Sequence, residues 1–183
     1  MITQKYNKEI LPIFIILFAG FLHSAEQKIY RVPIQGVIDL GLPAFVERVI
    51  EEAENNQVEV IIFDIDTFGG RVDAATQIKD AILDSDVPTI AFINRRAISA
   101  GALISLSCET IYMTGGGTIG AATAVDMSGK KASEKVISYM REEMASTAES
   151  RDRNTIIAKC MVDEELSFTH VIIDGDSVEV TDL

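Results

Sequence analysis

The chain has 183 residues, 48% of them hydrophobic and 24% charged, which suffices for one domain with a substantial core. Acidic residues outnumber basic ones 28 to 16, for a formal net charge of −12. The basic footprint that phosphate-backbone binding needs is missing, so nucleic acid is excluded as an expected partner.

At the N-terminus, Lys5 and Lys8 precede an apolar run from Ile10 to Leu22, followed by the small pair Ser24 and Ala25. This is the layout of a secretory leader. The run is short for a membrane span and is weakened by Pro12 and Gly20, although an uncleaved anchor fits the same residues. Residues 1–25 are therefore read as a signal peptide or N-terminal anchor, and 26–183 as one exported domain on the periplasmic or extracytoplasmic face of the membrane.

Lys28 to Ile34 is rich in β-formers, and Pro43 opens a helical stretch with apolar Val46, Val49, Ile50 and Ala53. Val58 to Ile65 is a near-continuous apolar strand, Asp73 to Leu83 has helical spacing, and Thr89 to Ile93 is a further buried strand. A helix from Ser99 to Ser107, a short strand Ile111 to Met113, the turn Gly115-Gly116-Gly117 and a β-prone stretch Thr118 to Val125 follow. Ser133 to Glu149 is an amphipathic helix, Asn154 to Val162 a second one, and Val171 to Leu183 an apolar strand with acidic turns. The alternation predicts an α/β fold with a parallel sheet and loops at the strand ends.

Three places carry residue types suited to chemistry. Asp66-Thr67-Phe68-Gly69-Gly70 follows a buried strand and precedes a helix. Two glycines there let backbone amides face a ligand, as in an oxyanion hole, although a tight strand-to-helix turn needs the same residues. In Arg95-Arg96-Ala97-Ile98-Ser99-Ala100-Gly101-Ala102 a strand ends and a helix of small residues begins at a serine. A hydroxyl at that point sits in positive dipole potential, but serine is also a preferred N-cap.

The third place is a base, because a serine hydroxyl needs a proton acceptor to attack at neutral pH. His23 lies in the leader and His170 late in the chain, so lysine is the alternative, provided burial favours its neutral form. Lys130, Lys131 and Lys135 are not separated by spacing alone. Cys108 and Cys160 are the two cysteines, and neither has a nearby histidine that would suggest zinc or a thiolate nucleophile. Cys108 reads as a buried free thiol; no metal and no cofactor are assigned.

The ordered set DTFGG, AISAGA and IYMTGGGTIGAATAV resembles the protease domain of the NfeD family, membrane-associated relatives of Clp protease and signal peptide peptidase A. The likeness runs from about Tyr30 to Val162. It implies the ClpP/crotonase-like spiral of repeated strand-strand-helix units and peptidase chemistry by a Ser-Lys dyad. Position by position it makes Ser99 the nucleophile and Lys135 the base, with Gly69 or Gly70 and the Ala100 amide as the oxyanion hole. Phe68, Arg71, Ile98 and Ile119 would line the substrate site, with an extended peptide between the Gly69-Gly70-Arg71 edge and the Thr118 to Val125 strand. The implied substrate is a peptide or protein with apolar segments, such as a stomatin-like membrane partner, and the implied assembly a homodimer or larger homo-oligomer. The segment IGAATAVD holds no histidine, which favours lysine. Relatives in this family continue into membrane spans and a small β-barrel domain, so the chain is expected to be truncated at its C-terminus. Two rivals share the sequence features: a crotonase-type acyl-CoA enzyme, which an export leader disfavours, and a non-catalytic peptide-binding module at the membrane.

Overall fold

A computed structural model describes residues 28–125 and 128–166, with the backbone of two further strands. The leader, residues 1–25, lies outside the described residues. From the first strand onward the chain alternates: β1 (Ile29–Ile38), α1 (Leu42–Asn55), β2 (Val60–Gly70), α2 (Val72–Leu83), β3 (Thr89–Ile98), α3 (Ala100–Ser107), β4 (Thr110–Met113) and β5 (Thr118–Gly120). Then come α4 (Glu134–Glu149), α5 (Thr155–Cys160) and the hairpin β6 (His170–Ile173) with β7 (Asp176–Glu179).

The five-stranded sheet has the order β1-β2-β3-β4, with β5 also on β3. All its pairings are parallel, as the crossover helices require. β4 pairs with Ile90 to Ile93 and β5 with Arg96 to Ile98. Two short strands thus tile one edge of a long β3, and that length carries the end of β3 past the sheet centre to Ser99.

Strand alternation assigns the two faces. Val32, Ile34 and Ile38 of β1, Ile61, Phe63 and Ile65 of β2, and Ala91, Ile93 and Ala97 of β3 are buried. Against them pack Ala74, Ala75, Ile78 and Ile82 of α2 and all eight residues of α3. The opposite face presents Arg31, Asp64, Asp66, Phe68 and Arg96. Arg31 pairs there with the buried Asp64 carboxylate.

The strands run further than periodicity indicates. β2 continues through the glycine pair, and β3 continues five residues past Ile93, because both are extended by pairing with neighbours that a single-sequence reading cannot locate. The stretch Thr118 to Val125 shortens instead. Only Thr118–Gly120 is a strand, since Ala122 N–H then donates to Met161 O at 2.7 Å and the Thr123 hydroxyl to Val162 O at 2.8 Å. That segment is tied to the loop after α5 rather than to the sheet.

The buried α3 ends on two arginines. Arg153 donates to Leu106 O, Cys108 O and Glu109 O, each at 2.8 Å, and Arg151 donates to Ser107 O at 2.8 Å. These carbonyls have no partner within the helix, and cations suit its negative end. Replacing Arg153 by methionine is expected to lower stability by about 2 kcal/mol and the melting temperature by roughly 4–8 °C. Calorimetry on the two proteins checks this, and a shift under about 1 °C would remove Arg153 from the account. Cys108 lies in the same buried corner, and desolvation pushes its thiol up to about 12 against the opposing pull of Arg153 and Arg151. It is unpaired, as expected, and is no nucleophile at neutral pH.

Candidate active site

Ser99 stands between β3 and α3 with φ 55° and ψ −116°. A non-glycine residue there is strained, and strain of this kind concentrates at functional positions. Its N–H donates to Gly120 O at 2.9 Å, and its carbonyl accepts the Ala102 amide at 2.9 Å. Its side chain makes no capping hydrogen bond. The N-cap employment that the residue type allows is thus not taken up, and the half-buried hydroxyl remains available. Helix dipole and the free first-turn amides put positive potential beside it.

The glycine pair lies against this serine. A Cβ built on Gly69, whose φ is +101°, would fall 2.7 Å from Ser99 Cβ, 2.9 Å from Ile98 O and 3.1 Å from Ala100 N. A Cβ on Gly70 would meet Ile38 O at 2.1 Å, and one on Gly101 would meet Thr67 Cγ2 at 2.6 Å. Each glycine therefore marks a close backbone approach. The Thr67 hydroxyl staples the turn: it donates to Gly36 O and accepts the Gly69 amide at 2.9 Å. The Arg71 amide donates to Ile38 O at 2.8 Å, on the β1 side. The Gly69 N–H is thus engaged by the Thr67 hydroxyl.

Lys135 is exposed at the start of α4 and, among the described residues, neither its amine nor the Ser99 hydroxyl has a hydrogen-bond partner. The expected apolar pocket around Lys135 is not formed in this conformation. Tyr139 Oη lies 3.4 Å from Thr76 Oγ1, and Lys79 Nζ donates to Glu143 Oε2 at 2.9 Å. α4 and α2 thus run side by side in one direction. Lys135 lies one turn before Tyr139 on α4. Lys130 and Lys131 are also exposed, and Lys131 pairs loosely with Glu164 at 3.8 Å.

Of the expected lining residues, Phe68 is 71% exposed, Ile98 is half-buried beside the serine, and Arg71 is exposed and paired with Asp73 at 2.6 Å. Arg71, Val72, Asp73, Thr76, Gln77 and Tyr139 border a groove of about 560 Å³. Ile119 departs from the expectation. It pairs in register with buried Ala97 on the helix side of the sheet, and lines an apolar cavity of about 240 Å³ with Leu106, Ile111, Met113, Ile157 and Met161. Phe68 lies on the opposite face. Sequence reasoning gave no role to Thr67, Asp66, Arg96 or Gly120; the alternation that puts positions 66 and 96 on one sheet face was the available signal.

A parallel sheet with its helices on one face, a glycine turn at the end of one strand and a strained serine at the end of the next define a ClpP-like protease fold. ClpP1 from Listeria monocytogenes superposes with a TM-score of 0.55 at 22% identity, covering 73% of this chain and 78% of that one. The chain belongs to the NfeD1b family: residues 28–180 match the NfeD1b N-terminal domain. It is 34% identical to membrane protein NfeD1b of Bacillus subtilis strain 168 over 92% of this chain and 39% of that protein. To membrane-bound protease PH1510 of Pyrococcus horikoshii it is 30% identical over 87% of this chain and 38% of that protein. It therefore spans about two fifths of the length of these relatives. Among solved structures, a lysine-to-alanine variant of the 1510-N membrane-bound stomatin-specific protease, in complex with a substrate peptide, matches with TM-score 0.72 and 31% identity. The match covers 78% of this chain and 68% of that one. A serine-to-alanine variant of the same protease matches with TM-score 0.70. The Pyrococcus horikoshii relative and the 1510-N structures are named as proteases, and both curated relatives are named as membrane proteins. Among the described residues, no helix is long and apolar enough to cross a membrane.

Proposed function

We propose that the chain is a serine endopeptidase that cuts apolar segments of membrane-associated proteins with a Ser99-Lys135 dyad. The observation that carries this reading is the backbone of Ser99: a strained φ of 55°, at a buried helix N-terminus, with an uncapped hydroxyl. Capping would require neither the strain nor the glycine turn pressed against it.

In the proposed mechanism an extended peptide lies along the Gly70-Arg71 edge, pairing through its backbone. Ser99 Oγ attacks the scissile carbonyl carbon as its proton passes to neutral Lys135 Nζ. The carbonyl oxygen becomes an oxyanion held by the amides of Gly70 and Ala100, both fixed before the reaction starts. The C–N bond then breaks, Lys135 returns the proton to the leaving amine, and an ester remains on Ser99. Water attacks that ester, giving its proton to Lys135 and releasing the acid as Oγ is reprotonated. Gly70 rather than Gly69 is the donor, since the Thr67 hydroxyl already holds the Gly69 amide.

Lys135 must lose water to act, and catalytic hydrogen bonds often tighten only when substrate is bound. The pairing of a serine and a lysine variant in the related stomatin-specific protease supports the assignment. Lys135→Ala is expected to lower kcat by about 1000-fold, while Lys130→Ala and Lys131→Ala leave it within about threefold. The test is steady-state cleavage of a fluorogenic peptide with leucine and valine around the scissile bond; loss confined to Lys130→Ala or Lys131→Ala would move the base elsewhere. Residues 1–25 are proposed to direct the domain to the extracytoplasmic face, where a stomatin-like protein would be a substrate and a homo-oligomer the working form. The exposure of Lys135 favours a second reading, a non-catalytic module presenting the same groove to a membrane partner. Its mark is a folded chain whose serine resists active-site reagents.

A further inference from the structure

We propose that Arg96 is a positioning residue: it clamps the glycine turn against Ser99 by stacking on Phe68 while paired to Asp66. The inference rests on the peptidase reading. The turn Phe68-Gly69-Gly70 carries one side chain by which it can be held, since glycines offer none. That side chain is 71% exposed, an orientation that burial does not favour. What meets its ring is the Arg96 guanidinium, with Cζ 4.4 Å from the ring centroid, within the range of a cation–π contact.

The guanidinium is itself fixed. Arg96 Nε donates to Asp66 Oδ1 at 3.0 Å, with the two side chains only 34% and 23% exposed. Asp66 and Phe68 occupy alternate positions of β2, so both project on the sheet face away from the helices, as does Arg96 of β3. The Thr67 hydroxyl pins the turn from the helix side through Gly36 O and Gly69 N. Arg96 pins it from the other. The clamp also reaches the nucleophile, because Arg96 lies on β3 three residues before Ser99 and pairs with Thr118, two residues before the Gly120 carbonyl that receives the Ser99 amide. With Gly69 lacking room for one methyl beside Ser99, a small shift of the turn displaces the Gly70 amide from the reacting carbonyl. Displacements of that order cost rate rather than affinity.

The experiment uses the full chain with Arg96→Ala, Arg96→Lys, Phe68→Leu and the double variant Arg96→Ala/Phe68→Leu. It measures kcat and KM on the leucine- and valine-containing peptide and the rate of fluorophosphonate labelling. Arg96→Ala and Phe68→Leu are each expected to lower kcat and labelling about 10–100-fold with KM within about threefold. The double variant should be no slower than Arg96→Ala, because the two residues act as one unit. Arg96→Lys should recover most of kcat, since an ammonium keeps both the ring contact and the charge pair. Unchanged kcat, a rise in KM alone, or losses that multiply in the double variant would overturn the clamp. If the wild-type chain neither labels nor cleaves, the peptidase reading falls, and the clamp is read from hydrogen exchange at the Gly69 amide. Exchange about tenfold faster in Arg96→Ala and Phe68→Leu supports it, and unchanged exchange refutes it.

Discussion

Replacing Ser99 by glycine is expected to stabilise the protein while abolishing cleavage. At φ 55° and ψ −116° an L-residue carries strain on the order of 1–3 kcal/mol, which glycine does not. The side chain contributes no hydrogen bond that would be lost, so the offsetting cost is the greater unfolded-state entropy of glycine. The net gain is about 1 kcal/mol, seen as a rise of roughly 2–4 °C in melting temperature. Cleavage should fall by at least about 1000-fold, because the attacking atom is gone. Opposite signs for stability and activity separate a strained nucleophile from a structural serine, whose removal would lower stability and leave no activity to lose.

Gly69→Ala is expected to fail in the other way, losing both. The added methyl would sit 2.7 Å from Ser99 Cβ and 2.9 Å from Ile98 O, on a residue whose φ is +101°. Backbone lies on one side and the Ser99 Cβ on the other, so nothing flexible can yield. A loss of about 3 kcal/mol in stability follows, with cleavage lowered at least about 100-fold through the displaced serine and turn. Denaturant unfolding and single-turnover cleavage on the same preparation measure the two. An active, equally stable Gly69→Ala chain would mean that the turn does not abut the serine.

The fold was largely legible because its signals are local. The first parts of the buried strands Val60–Gly70 and Thr89–Ile98 show as apolar runs, and α1 begins at Leu42 with Pro43 in its first turn, close to where its sequence predicts. Pairing was not legible: the extension of β2 through Gly70 and of β3 to Ile98 depends on neighbours contributed by β1 and β5. For the same reason Val125 pairs with Lys131 in an isolated bridge instead of prolonging β5. Within the site, the motif order pointed to Ser99 and the glycine pair, but composition could not reveal that Ser99 leaves its cap position unused. Nor could it show that the Thr67 hydroxyl holds the Gly69 amide. Ile119 and Phe68 were assigned together to the substrate site, and it took the strand register to show that they lie on opposite faces of the sheet. Arg96 and Asp66 went unread because each looks like a solvated charge until the strands are aligned.

The most direct measurement treats the full chain with a fluorophosphonate probe and maps the adduct by peptide mass spectrometry. One adduct on Ser99, absent from Ser99→Ala and strongly slowed in Lys135→Ala, is the predicted result. A folded chain that takes up no probe, or takes it up at a residue other than Ser99, would contradict the assignment of Ser99 as the nucleophile.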